Sequence, residues 1–480
     1  MKAGKIMSEN NTSLKRSLKP VNVWALALGS IIGWGAFVMP GNTFLPKAGP
    51  LGTAIAMSVA ALIMISIAFN YNYMINRYPV AGGEFTYTKN AFGKTAGYIC
   101  AWFLGLSYLA IVPLNATALA LIGRNLFPSV FQWGYLYTVQ GYSIYTGEVL
   151  LAVIALVLFA VISIRGIAGV GKFQTVLAFL LVGSVAVLAL AATISDKATL
   201  SNMAPAFQST ADGKISIGGI VAVIAVAPWA FVGFDSIPQA SEEFNFSPKK
   251  CKVIMVLSIV FGGLLYIVLN TITASIVPSG YANWTEYIAD IKNLDGIASM
   301  PTFNAAKELL GTAGLITLAI ALFCAVLSGI IGFYTATSRL LYSVAKEGYL
   351  PAPFAKLHKK YNTPYVAILF VMIVSLVAPF FGREVLGWIV DMSSIGAAIG
   401  YGFTSAAAFV TINKNKDAGV GLKINAILGT IFSVAFVAML LSPSSLGFGG
   451  LGTEARIALG VWCVLGIVFY IVSQRNKKKV

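Results

Sequence analysis

Charged side chains are scarce in this sequence. Asp, Glu, Lys and Arg make up 10% of it, where a soluble domain carries roughly a quarter. So little charge excludes a fold surrounded by water over most of its surface. Histidine occurs once, as His358, in a basic stretch that reads as a solvated loop. The four cysteines (Cys100, Cys251, Cys324, Cys463) are scattered without metal-type spacing and read as reduced packing residues. That distribution argues against a disulfide framework, and two dispersed intramembrane aspartates argue against a membrane-embedded enzyme. No Gly-x-x-x-x-Gly-Lys-Ser/Thr loop occurs, so ATP-driven pumping has no phosphate cradle in this chain. Strict apolar–polar alternation is missing as well, which removes a β-barrel. Residues 1–20 are polar and basic without a short apolar segment ending in a cleavage site, so no secretory signal is expected there.

What the sequence has instead is apolar length. Hydrophobic residues form 58% of it and the mean hydropathy is +0.82. Apolar runs of about 20 residues, enough to cross a core about 30 Å thick, recur from end to end. Lipid offers the backbone no hydrogen-bond partner, so such runs must be helices. The runs predict twelve spans, at residues 21–46, 51–76, 95–123, 147–164, 173–194, 216–242, 253–276, 311–344, 364–381, 385–412, 424–441 and 455–473. The expected fold class is therefore all-α integral membrane. The net charge of +16 would point to nucleic acid in a soluble protein. Here most basic residues fall on alternate loops, the pattern of cytoplasmic placement of both termini. Residues 1–20 and 474–480 are then cytoplasmic tails, and no nucleic-acid partner is expected. The loop at 125–146 is rich in Trp and Tyr and suits an interfacial belt; the loop at 278–310 forms either short helices or a solvated spacer.

Two spans carry comparable interruptions. The first contains Gly29-Ser30-Ile31-Ile32-Gly33-Trp34-Gly35, and the sixth contains Pro228-Trp229-Ala230-Phe231-Val232-Gly233. Glycine loosens a helix and proline removes a donor, so each is a place for a helix to unwind. Both lie mid-span, about five helices apart. Matching breaks predict two inverted five-helix repeats, 21–194 and 216–412, followed by two further spans in 424–473, with a solute site at the midplane. The competing reading is that these glycines only permit close helix packing.

Unwound backbone exposes N–H and C=O groups and the ends of half-helices, which together can hold the carboxylate and the ammonium of a zwitterion. Asp235 lies inside the sixth span, where an ionised carboxylate is costly. Its readings are proton exchange, pairing with a cation, or capping of the inner half-helix. Ser328 should sit near the bilayer middle, as an ion or substrate ligand or as a hydroxyl bonded back to its own helix. Asp391, near the outer end of the tenth span, reads as structural. Trp34, Trp229 and Phe231 flank the breaks, where aromatic rings can close over a solute or stack on a cationic head. A channel would need a continuous polar lining, which isolated polar groups do not supply.

These stretches resemble the amino acid–polyamine–organocation superfamily. The residues that carry the likeness are Ala27 to Phe37, Pro79-Val80-Ala81-Gly82-Gly83-Glu84-Phe85, Phe231-Val232-Gly233-Phe234-Asp235 with Ser241-Glu242-Glu243, and Ser338-Arg339-Leu340-Leu341-Tyr342. The resemblance implies a leucine-transporter-type 5+5 fold with broken helices one and six and alternating access. By motif position it implies substrate contacts from Ser30, Ile31, Gly33, Trp34 and Gly35 and from Trp229, Ala230, Phe231 and Val232, with Trp229 as the gating aromatic and Asp235 and Ser328 as coupling residues. Trp34 stands where the superfamily usually has a small residue, which implies a smaller pocket or a short amine, and the string after Phe231 is similar to ethanolamine-type permeases. The fifth span lacks the mid-helix lysine of many proton-coupled members; Lys172 lies at its start. The expectation is a secondary transporter of an amino acid or small amine in the cell membrane, not an enzyme. It needs no cofactor beyond a coupling ion, H+ or Na+, and no obligate protein partner.

Overall fold

The computed structural model describes residue 14 and residues 16–477, except 140, 383, 416–418 and 444–449. The chain opens with α1 (Pro20–Ile31), begun by a proline whose missing N–H costs nothing in a first turn. It stops at Ile32, whose backbone is extended (φ −90°, ψ 92°). The helix resumes as α2 (Gly35–Met39), passes a π turn at Pro40–Phe44 and enters α3 (Leu45–Arg77), kinked where Gly49 takes φ +73° ahead of Pro50. Then come α4 (Gly83–Phe92), α5 (Lys94–Leu126), α6 (Thr146–Arg165) and α7 (Ile167–Ile194).

The sixth apolar stretch is in pieces: α8 (Ile217–Ala225), α9 (Ala227–Ala230) and α10 (Ser236–Gln239), with residues 231–235 outside any helix. Continuous helices return with α11 (Cys251–Ser275). After α12 (Trp284–Asp290) and α13 (Pro301–Leu310) the chain forms α14 (Thr312–Lys346), α15 (Tyr365–Ser375), α16 (Glu384–Lys414), α17 (Val420–Leu441) and α18 (Thr453–Lys477).

Among the described residues nine helices are long and apolar enough to cross a membrane, and Pro20–Ile31 and Tyr365–Phe381 are shorter apolar helices. The sequence led us to expect twelve. The difference is three stretches: the first is split at residues 32–34, the sixth is in fragments, and the ninth, Tyr365–Phe381, is a shorter apolar helix. Large apolar side chains such as Leu62, Leu190 and Val434 are more than 60% exposed, as lipid rather than water requires. One departure from an all-α fold is an antiparallel hairpin, β1 (Tyr135–Val139) with β2 (Tyr142–Tyr145), in the aromatic loop. The loop at 278–310 holds the short helices α12 and α13 rather than a plain spacer.

Helix α1 sits in the interior, packed by α7, α11 and α14, while α5 lies against α14 and α16. The fragments of the sixth stretch face the same interior: α9 packs on α16 and α3, and α10 on α14, α1 and α4. At one end of the bundle Leu18 pairs with Phe244 in a single β-bridge; we call this the N-terminal face.

Candidate functional site

The two breaks meet. Gly233 has φ +137°, a conformation open in practice to glycine alone, and a Cβ built there would lie 2.7 Å from the Ile31 nitrogen and 2.8 Å from the Ser30 carbonyl carbon. Backbone therefore packs directly on backbone at the point where both helices come apart. Ser30 to Gly35 and Trp229 to Val232, the residues singled out in the sequence, line this junction, and the ones with side chains are buried. Trp34 and Trp229 face each other with ring centroids 6.2 Å apart and planes 58° apart. Gly35 lies under the Trp229 ring with no room for a Cβ.

Several backbone groups freed by the breaks are taken up by tyrosines. Tyr266 on α11 donates to the Ile31 carbonyl (3.4 Å) and Tyr401 on α16 to the Pro228 carbonyl (3.3 Å). Among the described residues the N–H groups of Gly33 and Trp34 donate to no protein acceptor. Polar atoms without partners gather alongside: Ser30 Oγ, Ser328 Oγ, Gln174 Oε1, Asn115 Oδ1 and Trp34 Nε1. Gln174 donates through Nε2 to the Ser328 carbonyl (3.0 Å), and the Ser328 side chain lies directly on Gly29. Asn115 Oδ1 sits 3.2 Å from where a Gly33 Cβ would be. Asn115, Gln174 and Tyr266 escaped the sequence reading, although an amide within an apolar span is itself a signal of an interior role.

Asp235 is fully buried. It occupies the N-cap of α10 but makes no side-chain cap bond. Its Oδ1 instead accepts the Gly233 N–H (2.6 Å) and its Oδ2 the Tyr108 hydroxyl (2.9 Å). Capping is thus the wrong member of the three readings, because the carboxylate turns back into the break rather than forward to the half-helix. Asp391 lies elsewhere, accepting the Gly452 N–H (2.9 Å), and His358 is in the loop after α14, accepting the Lys360 N–H (3.2 Å).

The whole chain can now be placed. Residues 18–469 match the amino acid permease family. This chain belongs to that family, within the amino acid–polyamine–organocation superfamily. The permease is 24% identical to the branched-chain amino acid permease BcaP of Bacillus subtilis, over 97% of this chain and 95% of that protein. It is 25% identical to BcaP of Lactococcus lactis, over 95% of this chain and 94% of that protein. It is also 24% identical to the low-affinity putrescine importer PlaP of Escherichia coli, over 88% and 85% respectively. It is therefore a multi-pass membrane transporter of the amino acid and amine kind.

The permease is asymmetric about its breaks. Beyond Trp34, away from the N-terminal face, lies a cavity of about 210 Å³ walled by Phe37, Asn42, Leu121, Asn125, Met300 and Leu386 among others. Toward the N-terminal face the structure is sealed. Arg339 Nε bonds Glu243 Oε1 at 2.9 Å, and the two side chains are 1% and 3% exposed. The N–H groups of Ser17 and Leu18 both donate to the Glu243 carbonyl (2.9 and 3.0 Å), and Glu242 Oε1 accepts the Ala81 N–H (3.1 Å). Arg339, Glu242 and Glu243 were visible in the sequence only as parts of family-like motifs.

Proposed function

We propose that this permease is a secondary active transporter that carries an amino acid or small amine across the cell membrane by alternating access. The reading rests on one observation, the direct contact of two interrupted helices at Gly233 and Ser30–Ile31. Freed N–H groups at Gly33 and Trp34 suit a carboxylate, and the unpaired oxygen of Asn115 together with the Trp34 and Trp229 faces suits an ammonium. In this reading the breaks belong to two inverted five-helix repeats, 21–194 and 216–412, within twelve spans, and both termini are cytoplasmic. The sealed N-terminal face is then the inner one, and the cavity beyond Trp34 is the outer approach. Trp229 and Trp34 close over the solute, leaving room for a short substrate, ethanolamine-sized amines included. A coupling ion has two places to act: the oxygens of Ser30, Ser328 and Gln174 for Na+, and Asp235 for H+.

The test is uptake into proteoliposomes of radiolabelled leucine, putrescine and ethanolamine, each under an imposed proton or sodium gradient. Accumulation of one of them above equilibrium under one gradient is the expected result. Failure of all three, together with no thermal shift from any amino acid or amine, overturns the reading.

A further inference from the structure

Below the breaks, toward the N-terminal face, two carboxyl groups share one hydroxyl. Glu84, on α4 between the spanning helices, and Asp235 are each 0% exposed, and so is Tyr108 of α5 between them. Tyr108 Oη lies 2.9 Å from Asp235 Oδ2 and 3.3 Å from Glu84 Oε1, and 3.0 Å from the Asp235 carbonyl. The remaining carboxyl oxygens are occupied: Glu84 Oε2 accepts from Gln239 Nε2 (2.6 Å) and Asp235 Oδ1 from the Gly233 N–H (2.6 Å).

A phenol has a single hydrogen to donate. Three oxygens face it, the two carboxyl oxygens and the Asp235 carbonyl, and it serves one of them, so at least one carboxyl contact needs a hydrogen from the carboxyl side, donated into the Tyr108 oxygen. We propose that Glu84 and Asp235 hold one proton between them across Tyr108, and that this is the proton bound and released during transport. The clause on transport rests on the permease reading above; the shared proton does not.

The surroundings agree. The titratable groups facing the pair are the phenols of Tyr71 (α3), Tyr87 (α4) and Tyr401 (α16) and the thiol of Cys100 (α5). All are neutral acids, so none offsets a second negative charge. Burial, then the Asp235 carboxylate, push the Glu84 carboxyl well above the usual carboxylate range. Arg339, a buried cation of the N-terminal face, is held by Glu243. The proton is also connected to the solute site. Asp235 Oδ1 holds the amide of Gly233, the residue that packs on Ser30 and Ile31. Losing the proton leaves two adjacent buried anions, a state relieved by water entering from the N-terminal face or by the break moving.

Infrared difference spectra of the purified full-length protein test the site without any substrate. Wild type should show a protonated-carboxyl C=O band at neutral pH, in sodium-free and sodium buffers alike. The band should vanish in Glu84→Gln and in Asp235→Asn. In Tyr108→Phe, which leaves both carboxyls in place, it should shift to higher frequency as its acceptor is lost. Absence of the band from wild type at neutral pH, its replacement by a sodium-sensitive carboxylate signal, or its persistence in both carboxyl variants overturns the shared proton.

Coupling is read separately, from leucine uptake into proteoliposomes. A proton gradient should drive accumulation in wild type and fail to do so in Glu84→Gln. Equal driving in both overturns the coupling role. Should wild type carry no leucine, putrescine or ethanolamine at all, the substrate reading falls while the infrared band still decides the shared proton.

Discussion

Replacing Gly233 with alanine tests the meeting of the two breaks most directly. The backbone there has φ +137°, and a side chain forced into such a region costs on the order of 1–3 kcal/mol. The added methyl would also lie 2.7 Å from the Ile31 nitrogen and 2.8 Å from both the carbonyl carbon and Cβ of Ser30. None of these is the far end of a flexible chain; all belong to α1, held on its other sides by α7, α11 and α14. Overpacking of this kind adds roughly 1–3 kcal/mol, giving a total of roughly 2–6 kcal/mol. Gly263→Ala is the control. It lies inside α11, and its Cβ would meet Ala61 Cβ at 3.4 Å and Phe231 Cζ at 3.5 Å, ordinary contacts. Removing a helix-interior glycine there is worth up to about 1 kcal/mol in the favourable direction. Thermal unfolding of the purified protein in detergent should therefore move in opposite directions for the two variants, and solute uptake should be lost only in Gly233→Ala. An unchanged midpoint and unchanged uptake in Gly233→Ala would show that the breaks do not press on each other, and the site would have to be sought elsewhere.

Other substitutions probe other parts of the argument. Trp34→Ala removes the ring opposite Trp229 and should change which solutes compete for uptake, admitting larger ones; an unaltered competition profile counts against the pocket. Arg339→Ala leaves Glu243 buried without its partner, a loss of roughly 3–5 kcal/mol. Arg339→Met combined with Glu243→Leu should regain most of it in the unfolding midpoint, and equal damage from single and double variants would refute the account. Trp462→Ala removes a stacked pair (4.7 Å) and one bond, Trp462 Nε1 to the Trp102 carbonyl (3.1 Å), and keeps the backbone carbonyl at 462 that accepts from Trp102 Nε1 (2.9 Å). At roughly 0.6 kcal/mol for the bond and about 1 kcal/mol for the pair, docking of α18 should weaken by about 1.5 kcal/mol. Limited proteolysis should then cut between α17 and α18 faster than in wild type.

The sequence made the class legible because bilayer physics writes in long strokes: apolar runs, loop charge and mid-span glycines. Proline and glycine at 228 and 233 also marked where the sixth stretch comes apart. Less could be read of what the breaks touch. Asp235 offered three roles on paper, and only its placement beside Tyr108 and the Gly233 amide removes capping. Glu84 read as a loop residue of a family-like motif, since nothing local tells a chain that α4 folds back beneath a span over a hundred residues later. The hairpin at Tyr135–Tyr145 was masked by its own aromatic content, which suits an interfacial belt as well as a β-ribbon. Nothing in composition separates those two.

The seal of the N-terminal face follows from one short segment. From Asp235 to Glu243 each acidic or amide side chain reaches a different element: Asp235 to α5, Gln239 to α4, Glu242 to the turn before α4, and Glu243 to α14. The backbone of Glu243 adds the segment before α1. Nine residues lie between Glu243 and the break at Gly233, and most of them are in short turns of helix. Such a segment cannot shift at its solute end without pulling on all of these partners. The ion pair at its far end is no strong clasp, since two charges taken from water gain little over an apolar pair of the same size. What it does is make opening and wetting one event. Parting Arg339 from Glu243 in a dry interior leaves two bare charges, so in the alternating-access cycle proposed above the face would open only as water reaches them.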